Sequence, residues 1–232
     1  MKLVVTEKND AAVKIADLLG AEKPTADKVF NTPVYRFDVD GEEWVTIGLR
    51  GHILEPDFTP QLLYTKRTGW QGVTVDGEVL PATLPEGLAR PPFKKKKPFL
   101  EDGVELKGWK MDALPYLVYA PIEKLPKERD IIRSLKNLAK KADSIVIATD
   151  FDREGELIGA DALACCREVN AAAPVSRARY SAFTKAEIQG AFSNLVSMDD
   201  DLAASGASRQ DIDLIWGAVL TRYLTLVRFA GY

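Results

Sequence analysis

Residues 144–166 read SIVIATDFDREGELIGADALACC: a continuous apolar strand, IVIAT, that runs straight into three carboxylates, Asp150, Asp152 and Glu154. Carboxylates clustered at the mouth of a strand repel one another and cost stability unless a cation or a strong set of donors offsets them. The segment therefore asks for a metal. Asp150 ends the strand, Asp152 lies two residues on, and Glu154 opens a helix expected to reach about Val169. Glu7 holds the equivalent place after a first apolar strand, KLVVT. In parallel α/β sheets, ligands bind beyond the carboxyl ends of the strands, near the reversal of strand order. If the two strands are neighbours, four carboxylates meet in one crevice. Two or three of them suit Mg²⁺, which usually takes one or two carboxylates plus phosphate oxygens. The plainer reading is that Glu154 and Glu156 favour a helix N-terminus. That accounts for the glutamates but not for two aspartates ahead of them.

Outward from this stretch, strands and helices alternate. After KLVVT and the polar EKND, Ala12, Ile15, Ala16 and Leu19 recur at helical spacing up to Gly20. VYRFDVDGEEWVTIGL alternates around Asp40 and Gly41, a hairpin signal. RARYSAF reads as another strand, and TKAEIQGAFSNL as another helix with Thr184 as its N-cap. Such alternation means an α/β fold with a parallel sheet flanked by helices. Between about residues 55 and 120 the pattern fails, and a Pro-, Gly- and Lys-rich stretch reads as an insertion of loops and short strands. From about Asp199 the chain reads as helix to its end, with Ile212, Ile215, Trp216, Val219 and Tyr223 on one apolar face.

Composition excludes several classes. The 232 residues are 46% apolar and 28% charged, ordinary for a globular chain, and carry a net charge of −3. No apolar run approaches the ~18 residues of a membrane span, and the N-terminus turns polar too soon for a signal peptide. Cys165 and Cys166 are adjacent in an apolar helical run, which suggests buried thiols in a reducing compartment rather than a disulfide framework. One histidine, His52, makes zinc a poor candidate and favours a hard, oxygen-ligated metal. His52 itself reads as a structural or hydrogen-bonding residue. Basic residues are uneven: four lysines occupy residues 94–97, and Arg129, Arg133, Lys136 and Lys140 form a helical stripe opposite Ile132, Leu135 and Ala139. That stripe alone reads as a solvated face. No G-x-x-x-x-G-K-S/T loop is present, so a P-loop ATPase is unsupported. A D-x-D after a buried strand also occurs in phosphatases, but there the strand is expected near the N-terminus.

Taken together, VVTEKNDAAVKIADLLG, GLRGHILE, IVIATDFDREGELIG, RARYSAFTKAEIQGAF and SRQDIDLIWGAVLTRYLT resemble, in order and spacing, the N-terminal part of a type IA DNA topoisomerase. They are most similar to the archaeal topoisomerase I and topoisomerase III branch. The resemblance implies a Rossmann-like Toprim domain over residues 1–195, with the insertion at about 55–120, and the beginning of a helical DNA-groove domain over 196–232. It implies that Glu7 acts as general acid/base and that Lys8 stabilises charge developing on the phosphate. Asp150 and Asp152, with Glu154 behind them, would carry Mg²⁺, with Arg153 and Glu156 in support.

In RQDIDLIWG, Arg209, Asp213 and Gly217 fall at i, i+4 and i+8 on one side of a helix. The spacing alone indicates a helical ion pair worth a few tenths of a kcal/mol. The resemblance makes these residues, with Arg222, the lining of a groove for single-stranded DNA.

The family's nucleophilic tyrosine sits in a motif resembling G-x-I-S-Y-x-R-T, which nothing here matches. Tyr116, Tyr119, Tyr180, Tyr223 and Tyr232 all lack the flanking residues. The resemblance thus implies a fragment of a cytoplasmic, nucleoid-associated isomerase, inactive alone, whose remaining chain supplies the tyrosine. A self-sufficient Toprim nuclease or primase-like phosphotransfer enzyme is the alternative, and a non-catalytic DNA-binding module a third.

Overall fold

The structure, a computed structural model, describes residues 1–58, 109, 111, 114–118 and 122–229; for 62–65, 69–75, 78–80, 115, 116 and 229 it describes the backbone alone. The lysines at 94–97, Tyr119 and Tyr232 lie outside the described residues. The chain divides into two compact units, Met1–Glu55 with Pro126–Ser208, and Pro56–Leu125 with Arg209–Tyr232.

In the first unit, β1 (Lys2–Thr6) leads into α1 (Asn9–Leu19), then β2 (Thr25–Val29), β3 (Thr32–Val39) and β4 (Glu42–Gly48). After the second unit's excursion come α3 (Arg129–Ala139), β10 (Ser144–Ile147), α4 (Arg153–Arg167), β11 (Val175–Arg177) and α5 (Lys185–Ser193). The sheet order is β11-β10-β1-β4-β3-β2. β11, β10, β1 and β4 run parallel, while β3 and β2 fold back antiparallel.

β1 and β10 are continuous apolar runs because both faces of the sheet are covered. Side chains alternate between faces. Leu3, Val5, Ile145 and Ile147 join Leu135, Leu138 and Ile158 of α3 and α4. Val4 and Val146 join Ile15 of α1 and Ile188 of α5 on the other side. The β3–β4 turn is the expected one: Asp40 and Gly41 take φ of 53° and 83°, the double positive φ of a type I′ hairpin.

Three details differ from the sequence reading. The sheet is mixed, since β2, an edge strand of exposed TADK, pairs with β3 through a turn at Phe30 (φ 46°). Only Val175–Arg177 of the RARYSAF region is strand. Ala178 N–H makes one last bond to Ile147 O, and then Tyr180 tucks its hydroxyl onto Ala148 O and leaves the ladder. α4 begins one residue earlier than read, at Arg153, and ends at Arg167.

The second unit contains β6 (Leu62–Thr65), β7 (Gly69–Val75) and β8 (Glu78–Leu80) as an antiparallel sheet, and α2 (Leu114–Leu117). β5 (Leu54–Phe58) pairs with β9 (Ile122–Pro126). α6 (Asp200–Phe229) starts in the first unit, where Ala203 is buried and a Cβ on Gly206 would lie 2.7 Å from Arg153 O. Further along, Ile212, Trp216 and Tyr223 of its apolar face are exposed. Among the described residues, no helix is long and apolar enough to cross a membrane.

Candidate metal centre

β1 is where strand order reverses, since the chain places β4 on one side of it and β10 on the other. Val5 pairs with Ile147 and Thr6 with Gly48. Glu7 and Asp150 therefore leave the sheet at the same end, where α/β folds bind ligands. The first turn of α1 comes so close that a Cβ on Gly48 would lie 2.5 Å from Asn9 N. Around Glu7 the backbone is pinned. Thr6 Oγ1 donates to Lys8 O and Ile47 O, and Gly51 N–H donates to Glu7 O at 2.9 Å. Arg50 and Gly51, both at positive φ (62° and 86°), make the bend that delivers that N–H.

The Glu7 side chain is mostly enclosed, and its Oε1 lies 3.0 Å from Lys8 Nζ, which reaches into solvent. Lys8 holds its proton above the ordinary lysine range. The hydrogen bond that its ammonium donates to Glu7 is the main cause, followed by the charges of Glu7, Asp150 and Asp152. One ammonium thus feels three carboxylates at once.

The acidic loop is ordered by its own residues. Asp152 Oδ1 accepts from Gly155 N–H at 2.7 Å, so Asp152 is the N-cap of α4. Thr149 Oγ1 donates to Gly155 O at 2.6 Å. A Cβ on Gly155 would stand 2.1 Å from Asp150 O, so only glycine fits against that carbonyl. Asp150 and Arg153 are exposed. Glu154 is exposed too, with Oε1 3.1 Å from His52 Nε2.

Glu156 differs from the others. It is fully buried, with Oε2 2.6 Å from Arg177 Nε and Oε1 accepting from Asp199 N–H at 2.8 Å. Arg177 also donates to the carbonyls of Ile147, Ala178 and Asp150. Arg177 and Tyr180 are the site-shaping residues that the sequence reading missed. No signal in RARYSAF singles Arg177 out, because Arg177, Arg179 and Ser181 alternate with Ala178, Tyr180 and Ala182 as the solvated face of a half-buried strand would. Burial pushes the Tyr180 phenol well up, and the Asp150 charge adds to it.

The donor set is all hard oxygen, which suits Mg²⁺, and Asp150 and Asp152 would be the one or two carboxylates that Mg²⁺ takes. It is no preformed cage. Asp152 has one oxygen on a backbone N–H, Glu154 turns to His52, and among the described residues no three His, Cys, Asp or Glu side chains converge as metal ligands.

In the second unit, Arg209 Nε stands 3.6 Å from Asp213 Oδ2, both exposed. A Cβ on Gly217 would meet open space, and the Arg222 guanidinium lies 6.0 Å from the Trp109 ring.

A model of the Toprim domain matches residues 2–183, and the chain belongs to that family. DNA topoisomerase 1 of Archaeoglobus fulgidus is 36% identical over 224 residues, which cover 97% of this chain and 27% of the relative. DNA topoisomerase 1 of Thermoplasma acidophilum is 31% identical over 225 residues (97% and 23%). Human DNA topoisomerase 3-alpha is 31% identical over 233 residues (97% and 19%). The resemblance read from five motifs is borne out by these relatives. The chain spans about a quarter of their length or less.

Proposed function

We propose that this chain is the Mg²⁺-binding, acid/base-bearing N-terminal portion of a type IA DNA topoisomerase. The whole enzyme relaxes negatively supercoiled DNA by breaking and passing single strands, without ATP. The observation that carries the reading is the register of β1 and β10, which brings Glu7 and Asp150 to one end of the sheet. In this reading residues 1–195 are the Toprim domain, with an insertion at about 55–120, and 196–232 begin a helical domain on the DNA groove.

Asp150 and Asp152 hold the metal, with Glu154 behind them. Bound Mg²⁺ supplies positive charge that neutralises the scissile phosphate. Strand cleavage that joins the 5′ phosphate to a tyrosine frees a 3′ oxygen, which must take up a proton. Glu7 gives that proton and recovers it on religation. Lys8, 3.0 Å from Glu7, offsets charge on the phosphate oxygens. Arg153 supports the loop from the first turn of α4, and Glu156 from its buried pair with Arg177. Arg209, Asp213, Gly217 and Arg222 line the single-strand path. The tyrosine comes from sequence beyond these 232 residues, so the chain alone binds DNA without cutting it.

The test is incubation of the chain with a single-stranded oligonucleotide over a range of Mg²⁺, resolved on a denaturing gel, with Asp150→Asn as control. Salt-sensitive binding without cleavage is expected. Metal-dependent cleavage abolished by Asp150→Asn would overturn the reading in favour of a complete nuclease.

A further inference from the structure

Phe151 stands between Asp150 and Asp152 and leaves 49% of its surface in solvent. One face of its ring is already backed, because the Arg179 guanidinium carbon lies 4.6 Å from the ring centroid. That guanidinium has little else to hold it. Its Nη2 is 3.7 Å from Asp199 Oδ2, beyond hydrogen-bond range, and its Nε is enclosed without a hydrogen-bond partner. Arg177, two residues earlier, bonds to a carboxylate and three carbonyls. An enclosed N–H without an acceptor costs stability. The fold sustains that cost where a planar cation braces an exposed ring inside the acidic loop.

We propose that Phe151, backed by Arg179, is a stacking platform for an unpaired base of single-stranded DNA. This rests on the DNA reading above and extends it to a residue that reading does not use. Aromatic rings bind bases of any sequence by stacking, so the platform suits an enzyme that needs a single strand more than a given base. The braced ring loses little conformational freedom on binding. Its chain neighbours are the two aspartates assigned to the metal, so a nucleotide whose phosphate is held there brings a base to the ring. An apolar protein surface is a poorer occupant. Covering Phe151 with it would desolvate Asp150 and Asp152 with nothing to offset their charge.

The experiment uses the whole chain and a single-stranded oligonucleotide carrying 2-aminopurine, read by anisotropy for affinity and by fluorescence for stacking, with Mg²⁺ present. The parent chain should bind and quench the probe. Phe151→Ala should weaken binding about tenfold and abolish the quenching. The slope of affinity against salt should stay unchanged, because no cation is removed. Phe151→Trp should restore both affinity and quenching. Since the ring is half exposed, Phe151→Ala should keep the parent's thermal midpoint. Phe151→Ala that binds and quenches like the parent, while Arg209→Ala weakens binding, overturns the platform alone. A parent chain that binds no oligonucleotide at low salt overturns the DNA reading and the platform with it.

Discussion

Arg177 Nε lies 2.6 Å from Glu156 Oε2, and neither side chain has any surface in solvent. The two residues bind more than each other. Arg177 holds the carbonyl of Asp150, and Glu156 holds the N–H of Asp199 just before α6. Arg177→Met should cost about 3–5 kcal/mol, because it leaves Glu156 charged and buried without its partner. Arg177→Met combined with Glu156→Gln should recover much of that loss, since no charge is then stranded. Urea unfolding of the parent, the single variant and the double variant measures both. Equal stability of the single and double variants would disprove the charge argument.

Gly155→Ala tests the close approach of α4 to Asp150. The new Cβ would stand 2.1 Å from the Asp150 carbonyl oxygen, and backbone cannot swing aside as a flexible side chain can. A loss of about 3 kcal/mol is expected from overpacking, read as a drop in the urea midpoint. Gly217→Ala is the matched control. Open space surrounds that position, and alanine should leave helix stability equal or raised by up to about 1 kcal/mol.

Mg²⁺ and Asp150 should act in opposition on stability. Without metal, Asp150→Asn removes one of the like charges around the loop and should stabilise the chain by roughly 0.5 kcal/mol. With metal, the parent should gain stability with concentration, about 2.7 kcal/mol at a hundred times Kd, and the variant should gain far less. Thermal unfolding across a Mg²⁺ series distinguishes the two. A variant that gains as much as the parent would remove Asp150 from the metal site.

Arg209→Ala separates an ion pair from a DNA contact. The Arg209–Asp213 pair is exposed, so its loss should change stability by less than about 0.5 kcal/mol. If Arg209 neutralises a phosphate, the slope of log affinity for single-stranded DNA against log salt should fall by about 0.7. An unchanged slope would return Arg209 to a purely helical role.

Alkaline pH should weaken the fold through Cys166. Burial pushes its thiol from an ordinary value of 9.0 up to about 12. A group whose pKa is higher in the folded state keeps its full contribution below the unfolded value and loses it as pH rises. Between about pH 9 and 12 the unfolded thiol ionises while the folded one does not. This one group should therefore take away up to about 1.4 kcal/mol per pH unit. Cys166→Ala should flatten that part of the pH profile in urea titrations, whatever its effect at neutral pH.

The parts of this fold that sequence exposes are those set by burial on two faces. IVIAT and KLVVT declare themselves because the consecutive central residues of a strand covered on both faces must be apolar, and Asp40-Gly41 because few other pairs accept two positive φ angles. β2 stayed hidden because an edge strand of Thr25, Ala26, Asp27 and Lys28 buries nothing and so carries no pattern. The carboxylates were legible as a cluster, but the separate engagements of its members were not. Asp152 as the cap of α4 was within reach of local rules once the helix start moved by one residue. The Arg177–Glu156 pair was not. Its partners come from α4, the β10 exit and the approach to α6, and only the closed fold brings them together.

The pairing of β1 with β10 also governs the order of events during synthesis. β1 is made first, yet its partner on that side is translated about 140 residues later. At roughly 5–20 residues per second, the ribosome needs about 7–28 s to supply it. Until then a nascent chain that has formed its β1–β4–β3–β2 sheet presents an open, wholly apolar edge at Leu3, Val4 and Val5. Such an edge invites pairing with another chain. Premature termination before Ile147 should therefore yield aggregates rather than a smaller soluble domain, and Glu7 would never meet Asp150.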